Sequence, residues 1–240
     1  MSKHYRSIEL LGVPNYIQGT HDSLCTYYAA AMLLATLHPE YQDFFGRGAR
    51  RQRVGLKVED PLIKNFPKPK KESNDRVLSS WFYSGAFLKD ACKALNATMK
   101  EGRLDTRFKY TTCTNRNRVF DLIMDDVNQG LPVMIGWTTI DFGVHCALVV
   151  GCRRASRRWF ILHDPSGMRE VCWEVLKTID KSYFTTVSVE YHDGPRPDRL
   201  IVDFNPDNNY ETKQLDRWWP HEGEVCYRPI AELYKMAKRG

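Results

Sequence analysis

The chain has 240 residues, with 35 Lys+Arg against 29 Asp+Glu, a formal charge of +6. Its 42% hydrophobic and 12% aromatic content is enough to bury a core, which excludes a disordered chain and the collagen-like and low-complexity classes. No apolar run approaches the roughly 18 residues that would cross a bilayer. The seven cysteines are odd in number and form no Cys-x-x-Cys pair. That points to reduced thiols in a cytoplasmic protein and away from a disulfide framework or a zinc ribbon.

The N-terminal stretch MSKHYRSIELLGVPNYI has no apolar core and no small-residue cleavage site, so it does not read as a signal peptide. Residues 24–37, LCTYYAAAMLLATL, form the clearest helix. They are apolar or small almost throughout, which predicts burial on most sides. Asp22 or Ser23 is positioned to cap it, and His38-Pro39 ends it. Residues 46–75 are basic, irregular and interrupted by proline and glycine.

A second helix is expected over 84–96, with Phe87, Leu88, Ala91, Cys92 and Leu95 on its inner stripe. A strand near 106–112 follows. A third helix over 117–128 turns Val119, Leu122, Ile123 and Val127 inward, and Gly130 closes it.

From residue 132 the period changes to that of strands. Residues 132–138, 144–152, 158–163, 184–190 and 199–204 are β-rich runs separated by turn clusters such as Asp164-Pro165-Ser166-Gly167. Residues 168–180 read as a short strand leading into a helix, and a last helix is expected near 229–238. Helices first and strands second give an α+β fold, with N-terminal helices packed against a C-terminal antiparallel sheet. We read residues 1–204 as one domain carrying a basic insertion at about 40–80, and residues 205–240 as an extension packed on it.

One set of residues carries chemistry. Cys25 lies in the first turn of the buried helix, where the aligned peptide dipoles place roughly half a positive charge. That field favours the thiolate, the nucleophilic form. Gln18 stands upstream in a Gly/Thr/Asp/Ser loop; its amide, with the Cys25 backbone N–H, is suited to hold a developing oxyanion. His145 opens the apolar run of the second strand, and Asp164 ends the third. If those strands form a hairpin turning at 153–158, the two residues meet at one edge of the sheet. Asp164 would then take the Nδ1–H of His145 and leave Nε2 toward the thiol.

The order Gln, Cys at a helix, a His-led apolar strand, then a strand ending in Asp-Pro-Ser resembles papain-like cysteine peptidases. The likeness is greatest to the bacterial branch of double-glycine leader peptidases. It is carried by Gln18 to Leu34, Pro132 to Gly151 and Phe160 to Gly167. The resemblance implies Cys25 as nucleophile, His145 as general base, Asp164 as its orienting carboxylate and Gln18 in the oxyanion hole. It departs from the branch at Leu24-Cys25-Thr26, where Asp-Cys-Gly is usual, and in a Gln-to-Cys gap one residue longer than usual.

His21 is the alternative base and Asp141 the alternative orienting acid. His163 and Cys146 should face away from the site, as strand neighbours of Asp164 and His145. The remaining cysteines fit no zinc pattern, so no metal and no cofactor are expected. The expected activity is hydrolysis of a peptide or amide bond in a peptide or protein substrate through an acyl-enzyme, with no membrane partner. Two rivals stand beside it. One is acyl transfer or transamidation on the same fold. The other is an inactive module binding nucleic acid or an acidic partner through basic patches such as Arg153, Arg154, Arg157 and Arg158.

Overall fold

A computed structural model describes residues 7–17, 24–42, 52–53, 60–67, 86–138, 144–154, 158–166, 170–179 and 184–202. Outside them lie Gln18, His21, Asp22, Ser23, Asp141, most of the basic segment and the expected helix near 229–238.

The first helix, α1, runs from Cys25 to Leu37, and every residue in it but Thr36 is buried. The Thr36 hydroxyl donates to the Met32 carbonyl at 2.6 Å, which satisfies it within the helix. The start differs from expectation. Leu24 is the N-cap and Cys25 the first residue, and the expected capping residues Asp22 and Ser23 lie outside the described residues. The first amide returned to the helix is that of Tyr28, bonded to the Leu24 carbonyl at 3.1 Å. The amides before it have no partner inside the helix.

An antiparallel sheet takes the other half of the core. Its strands are β1 (Ser7–Leu10), β4 (Thr106–Cys113), β5 (Val133–Thr138), β6 (Val144–Arg154), β7 (Arg158–His163), β8 (Glu170–Cys172), β9 (Phe184–His192) and β10 (Arg199–Val202). They run in the order β10-β1-β6-β5-β9-β4, with β7 also on β6 and β8 on β7. Two short strands, β2 (Tyr16–Ile17) and β3 (Gln52–Arg53), pair separately and in parallel. Helices α2 (Leu88–Gly102), α3 (Arg116–Asn128) and α4 (Trp173–Ile179) and two short 3-10 turns, Pro39–Tyr41 and Ile63–Asn65, complete the described elements. The α+β class is as expected, while β1 and β2 stand ahead of α1, where no strand was expected. The β6–β7 hairpin is also as expected, with Leu148 paired to His163 and Arg154 to Arg158.

β6 is the hub, because β5, β7 and β1 all pair with it. Its register shifts between Val149 and Gly151. At Gly151 the backbone of Ile8 and Glu9 crosses so closely that a Cβ would collide with main-chain atoms. β1 is a strand that sequence periodicity did not signal: four residues carry too little pattern, and it exists because β6 and β10 flank it.

Two predicted inner stripes need correction. Phe87 is not on the core face of α2; it is the N-cap and 68% exposed. Leu122 of α3 is exposed, and Phe120 and Met124 are buried in its place. Phe120 stacks on Phe160 with ring centroids 4.9 Å apart, and Trp173 lies between Phe160 and Phe184.

α2 also runs longer than expected, to Gly102, and it guards a sheet edge. Among the described residues β4 has only β9 beside it, so its outer backbone groups would otherwise face a bare edge. The Asn96 amide plays the part of a neighbouring strand. It accepts the Phe108 N–H and donates to the Phe108 carbonyl, both at 2.9 Å. The Cys92 thiol donates to the same carbonyl at 3.4 Å.

Two outcomes follow from this packing. Gly151→Ala should lower the unfolding free energy by about 1–3 kcal/mol or more, read as a fall in urea midpoint at constant slope. Asn96→Ala should cost about 1–3 kcal/mol by removing the acceptor of the Phe108 N–H and leaving the Phe108 carbonyl to the Cys92 thiol, and should leave the α1 and β6 side of the molecule unaltered in hydrogen exchange.

Candidate active site

The site forms where the N-terminus of α1 meets the first residues of β6. Cys25 and His145 are both buried, 6% and 8% exposed, and Asp164 has no exposure at all. The His145 Nε2 lies 2.7 Å from the Asp164 Oδ2. The same imidazole is hydrogen-bonded to Cys25. The structure thus brings three of the four candidate residues together.

The ring is turned the other way round from expectation. Nε2, not Nδ1, meets the carboxylate, which leaves Nδ1 for the sulfur. Sequence fixes which residues meet, but the choice of nitrogen depends on side-chain torsions and the angle of approach.

The opposite carboxylate oxygen of Asp164 is held by Ser166. Both the Ser166 N–H and its hydroxyl donate to Oδ1, each at 2.6 Å. This is a turn in which an Asp side chain accepts from the backbone two residues on. It locks the carboxylate plane so that Oδ2 faces the ring. Trp137 closes the other side. It is paired directly across from His145 on β5, and the two rings meet edge-on at 4.9 Å with 71° between their planes.

Sequence reading passed over both Trp137 and Ser166. Ser166 was detectable from Asp-x-Ser turn chemistry, and Trp137 only once the β5–β6 register was known.

Electrostatics follow from this enclosure. Burial alone would push the His145 pKa down, but the adjacent Asp164 carboxylate and the bond to Cys25 outweigh it, and the imidazole is pushed up to about 10. Cys146, the next residue on β6, is wholly buried and its thiol is raised well above the ordinary value, first by burial. It is hydrogen-bonded to the Thr26 side chain. His163 is directed elsewhere, its Nδ1–H donating to the Pro14 carbonyl at 2.9 Å.

Among the described residues no group of three or more His, Cys, Asp or Glu side chains is arranged to hold a metal ion. Of the basic residues, Arg153 at the end of β6 pairs with Glu170 at 3.0 Å and Arg158 at the start of β7 with Glu174 at 2.7 Å; Arg157 lies outside the described residues.

The sequence profile of the Peptidase_C39 like family matches residues 10–189, a span that holds Cys25, His145 and Asp164. No curated protein sequence matches the chain. Among solved structures, the crystal structure of the Pseudomonas avirulence protein AvrPphB is similar with a TM-score of 0.34 and 11% identity. The match covers 78% of this chain and 97% of that one.

The elevated His145 pKa sets a pH signature. A histidine held above its unfolded value near 6.5 contributes stability in full below that pH, and the contribution is lost as pH rises through about 10. The difference in urea stability between the natural chain and His145→Ala should therefore be largest near pH 6 and shrink steadily toward pH 10. A difference that stays constant over that range would contradict the assignment of a charged pair.

Proposed function

The chain belongs to the Peptidase_C39-like family, and from that membership we propose that it is a cysteine peptidase using Cys25 as nucleophile and His145 as general base. The observation that supports it best is the continuous chain of hydrogen bonds from the Cys25 thiol through the imidazole to the buried Asp164 carboxylate. Such a chain has little structural purpose otherwise, since burying an ionisable pair rarely gains stability over apolar packing.

The steps follow from the geometry. With its pKa pushed up to about 10, His145 already carries a proton on the nitrogen that faces the sulfur, and Asp164 favours that imidazolium. The sulfur adds to the carbonyl carbon of the scissile bond. The imidazolium then gives its proton to the departing amine, and a thioester remains on Cys25. Water enters and loses a proton to the same nitrogen. It attacks the thioester and releases a carboxylic acid and the free thiol.

The amides at the head of α1 and the Gln18 side chain are assigned to the tetrahedral oxyanion, Gln18 on its place in the motif alone. The order of the motifs supports the double-glycine leader-peptidase branch, and the substrate is then a peptide or protein segment. Among the described residues no helix is long and apolar enough to cross a membrane. We place the chain in the cytoplasm because its seven cysteines are odd in number and form no Cys-x-x-Cys pair.

Iodoacetamide provides the test. At pH 7, Cys25 should be alkylated faster than the more exposed Cys113, by about ten-fold or more, because thiolate content and not accessibility sets the rate. His145→Ala should slow Cys25 alkylation by about 100-fold and leave Cys113 unchanged. Peptide mapping by mass spectrometry reads both. Equal rates at the two thiols would remove the reading.

A further inference from the structure

The head of α1 straddles the start of β6. Cys25, the first residue of the helix, is hydrogen-bonded to His145. Thr26, the second, is hydrogen-bonded to Cys146. Successive side chains of a strand leave its opposite faces. The helix is therefore held to β6 at two adjacent points, one on each face. One contact would let a helix end pivot; two that are adjacent on both elements fix its position and its rotation together.

The Thr26 hydroxyl also donates to the Ala86 carbonyl at 2.7 Å. A hydroxyl has one hydrogen to give, so toward Cys146 it accepts, and the Cys146 thiol donates. Burial first holds that thiol well above its ordinary pKa, which keeps the hydrogen on sulfur. The Ala86 carbonyl is fixed in turn. Two residues on, Leu88 fills the space left by Gly136, where an added Cβ would stand 2.8 Å from Leu88 Cδ1. Gly136 is paired directly with Cys146 across β5 and β6. The contacts close a circuit from Thr26 to Cys146, across to Gly136, on to Leu88 and back through Ala86. Gly136 and Cys146 are strand neighbours of Trp137 and His145 and occupy the face away from them.

Thr26 and Cys146 are both buried, so water does not replace a lost partner. Packing alone does not call for a hydroxyl at position 26, because valine has nearly the same shape and no polar group to satisfy. We propose that Thr26 and Cys146 are positioning residues, which hold the Cys25 sulfur in register with His145 from the reverse face of β6. This rests on the cysteine peptidase reading and adds the pair that sets its geometry. In register, the imidazolium keeps the sulfur as thiolate at a pH where a free thiol holds its proton. A shift of the helix head by about 1 Å is enough to weaken such a contact severely.

The test is the pH profile of Cys25 alkylation by iodoacetamide, read by peptide mapping, with Cys113 as the reference thiol in the same samples. In the natural chain the Cys25 rate should differ by about two-fold or less between pH 8 and pH 6. The Cys113 rate should fall about 100-fold, as for a thiol that titrates above that range. Thr26→Val should make the Cys25 rate fall about ten-fold from pH 8 to pH 6, and Thr26→Ser should restore the flat profile. Cys146→Ala should tilt the profile in the same direction, and Cys146→Ser should not. Adding Cys146→Ala to Thr26→Val should tilt it no further, because both changes break one device.

A pair that served stability alone would lower the urea midpoint and leave the profile flat. A flat profile in Thr26→Val, or in Cys146→Ala should Thr26→Val fail to fold, overturns the assignment and leaves the peptidase reading standing. So does a tilt that Thr26→Ser fails to reverse. If Cys25 of the natural chain follows the Cys113 profile, the peptidase reading falls and this inference with it.

Discussion

A carboxylate without solvent contact has to be answered by the structure around it, and Asp164 is answered on every side. Three donors meet it: the His145 ring, the Ser166 amide and the Ser166 hydroxyl, at 2.7, 2.6 and 2.6 Å. Removing a buried charge from water costs several kcal/mol even after relaxation, so each of these positions is constrained. The β6–β7 pairing sets the distance. Because Leu148 pairs with His163, Asp164 comes to rest beside the start of β6, in reach of His145 and not of residues deeper in the strand. A slip of one residue in that hairpin would turn His145 to the other face and strand the carboxylate. The fold's central hairpin and the site's charge pair thus depend on one another.

The features legible in the sequence were those written as a period or as a chain order. The apolar run around residues 24–37 marked α1, and alternating apolar runs marked the later strands, because burial demands those patterns whatever the neighbours are. The meeting of His145 with Asp164 followed from hairpin pairing, and that of Cys25 with His145 from the order of motifs. Features created only by tertiary contact were not legible. β1 has four residues and takes its strand form from β6 and β10. The use of Nε2 in place of Nδ1 depends on side-chain torsions. Phe87 fits a helical stripe by spacing, yet the helix begins one residue later. A stripe drawn across a helix start mistakes a cap for a core position. Gln18 lies outside the described residues, and its role rests on its position in the motif.

The helix that carries the nucleophile is also fixed at its far end, which matters because the reacting atoms tolerate little displacement. His38, directly after α1, contacts the Thr106 hydroxyl through Nε2 at 2.9 Å. The same hydroxyl meets His192 Nδ1 at 2.8 Å, and His192 Nε2 faces the Pro195 carbonyl at 3.2 Å. Proton counting gives this chain one direction. A carbonyl only accepts, so His192 carries its hydrogen on Nε2 and presents a lone pair at Nδ1. Thr106 must then donate its single hydrogen to His192 and accept the Nε2–H of His38. On its other side, His38 Nδ1 faces the Glu40 carboxylate at 3.4 Å. Burial first and the neighbouring His192 second hold its pKa below the ordinary value, while Glu40 and Asp193 pull upward.

α1 is therefore held to the first residue of β4 and the last of β9 at one end, and to the Ala86 carbonyl and the His145 ring at the other. Between those ends its buried face is too closely packed to slide, because an interior at crystal-like density has no room for a helix to move along its axis. The thirteen residues of α1 then behave as a rigid rod. Cys25 sits at its head because there a rod's dipole and a residue from the facing sheet can act on one sulfur.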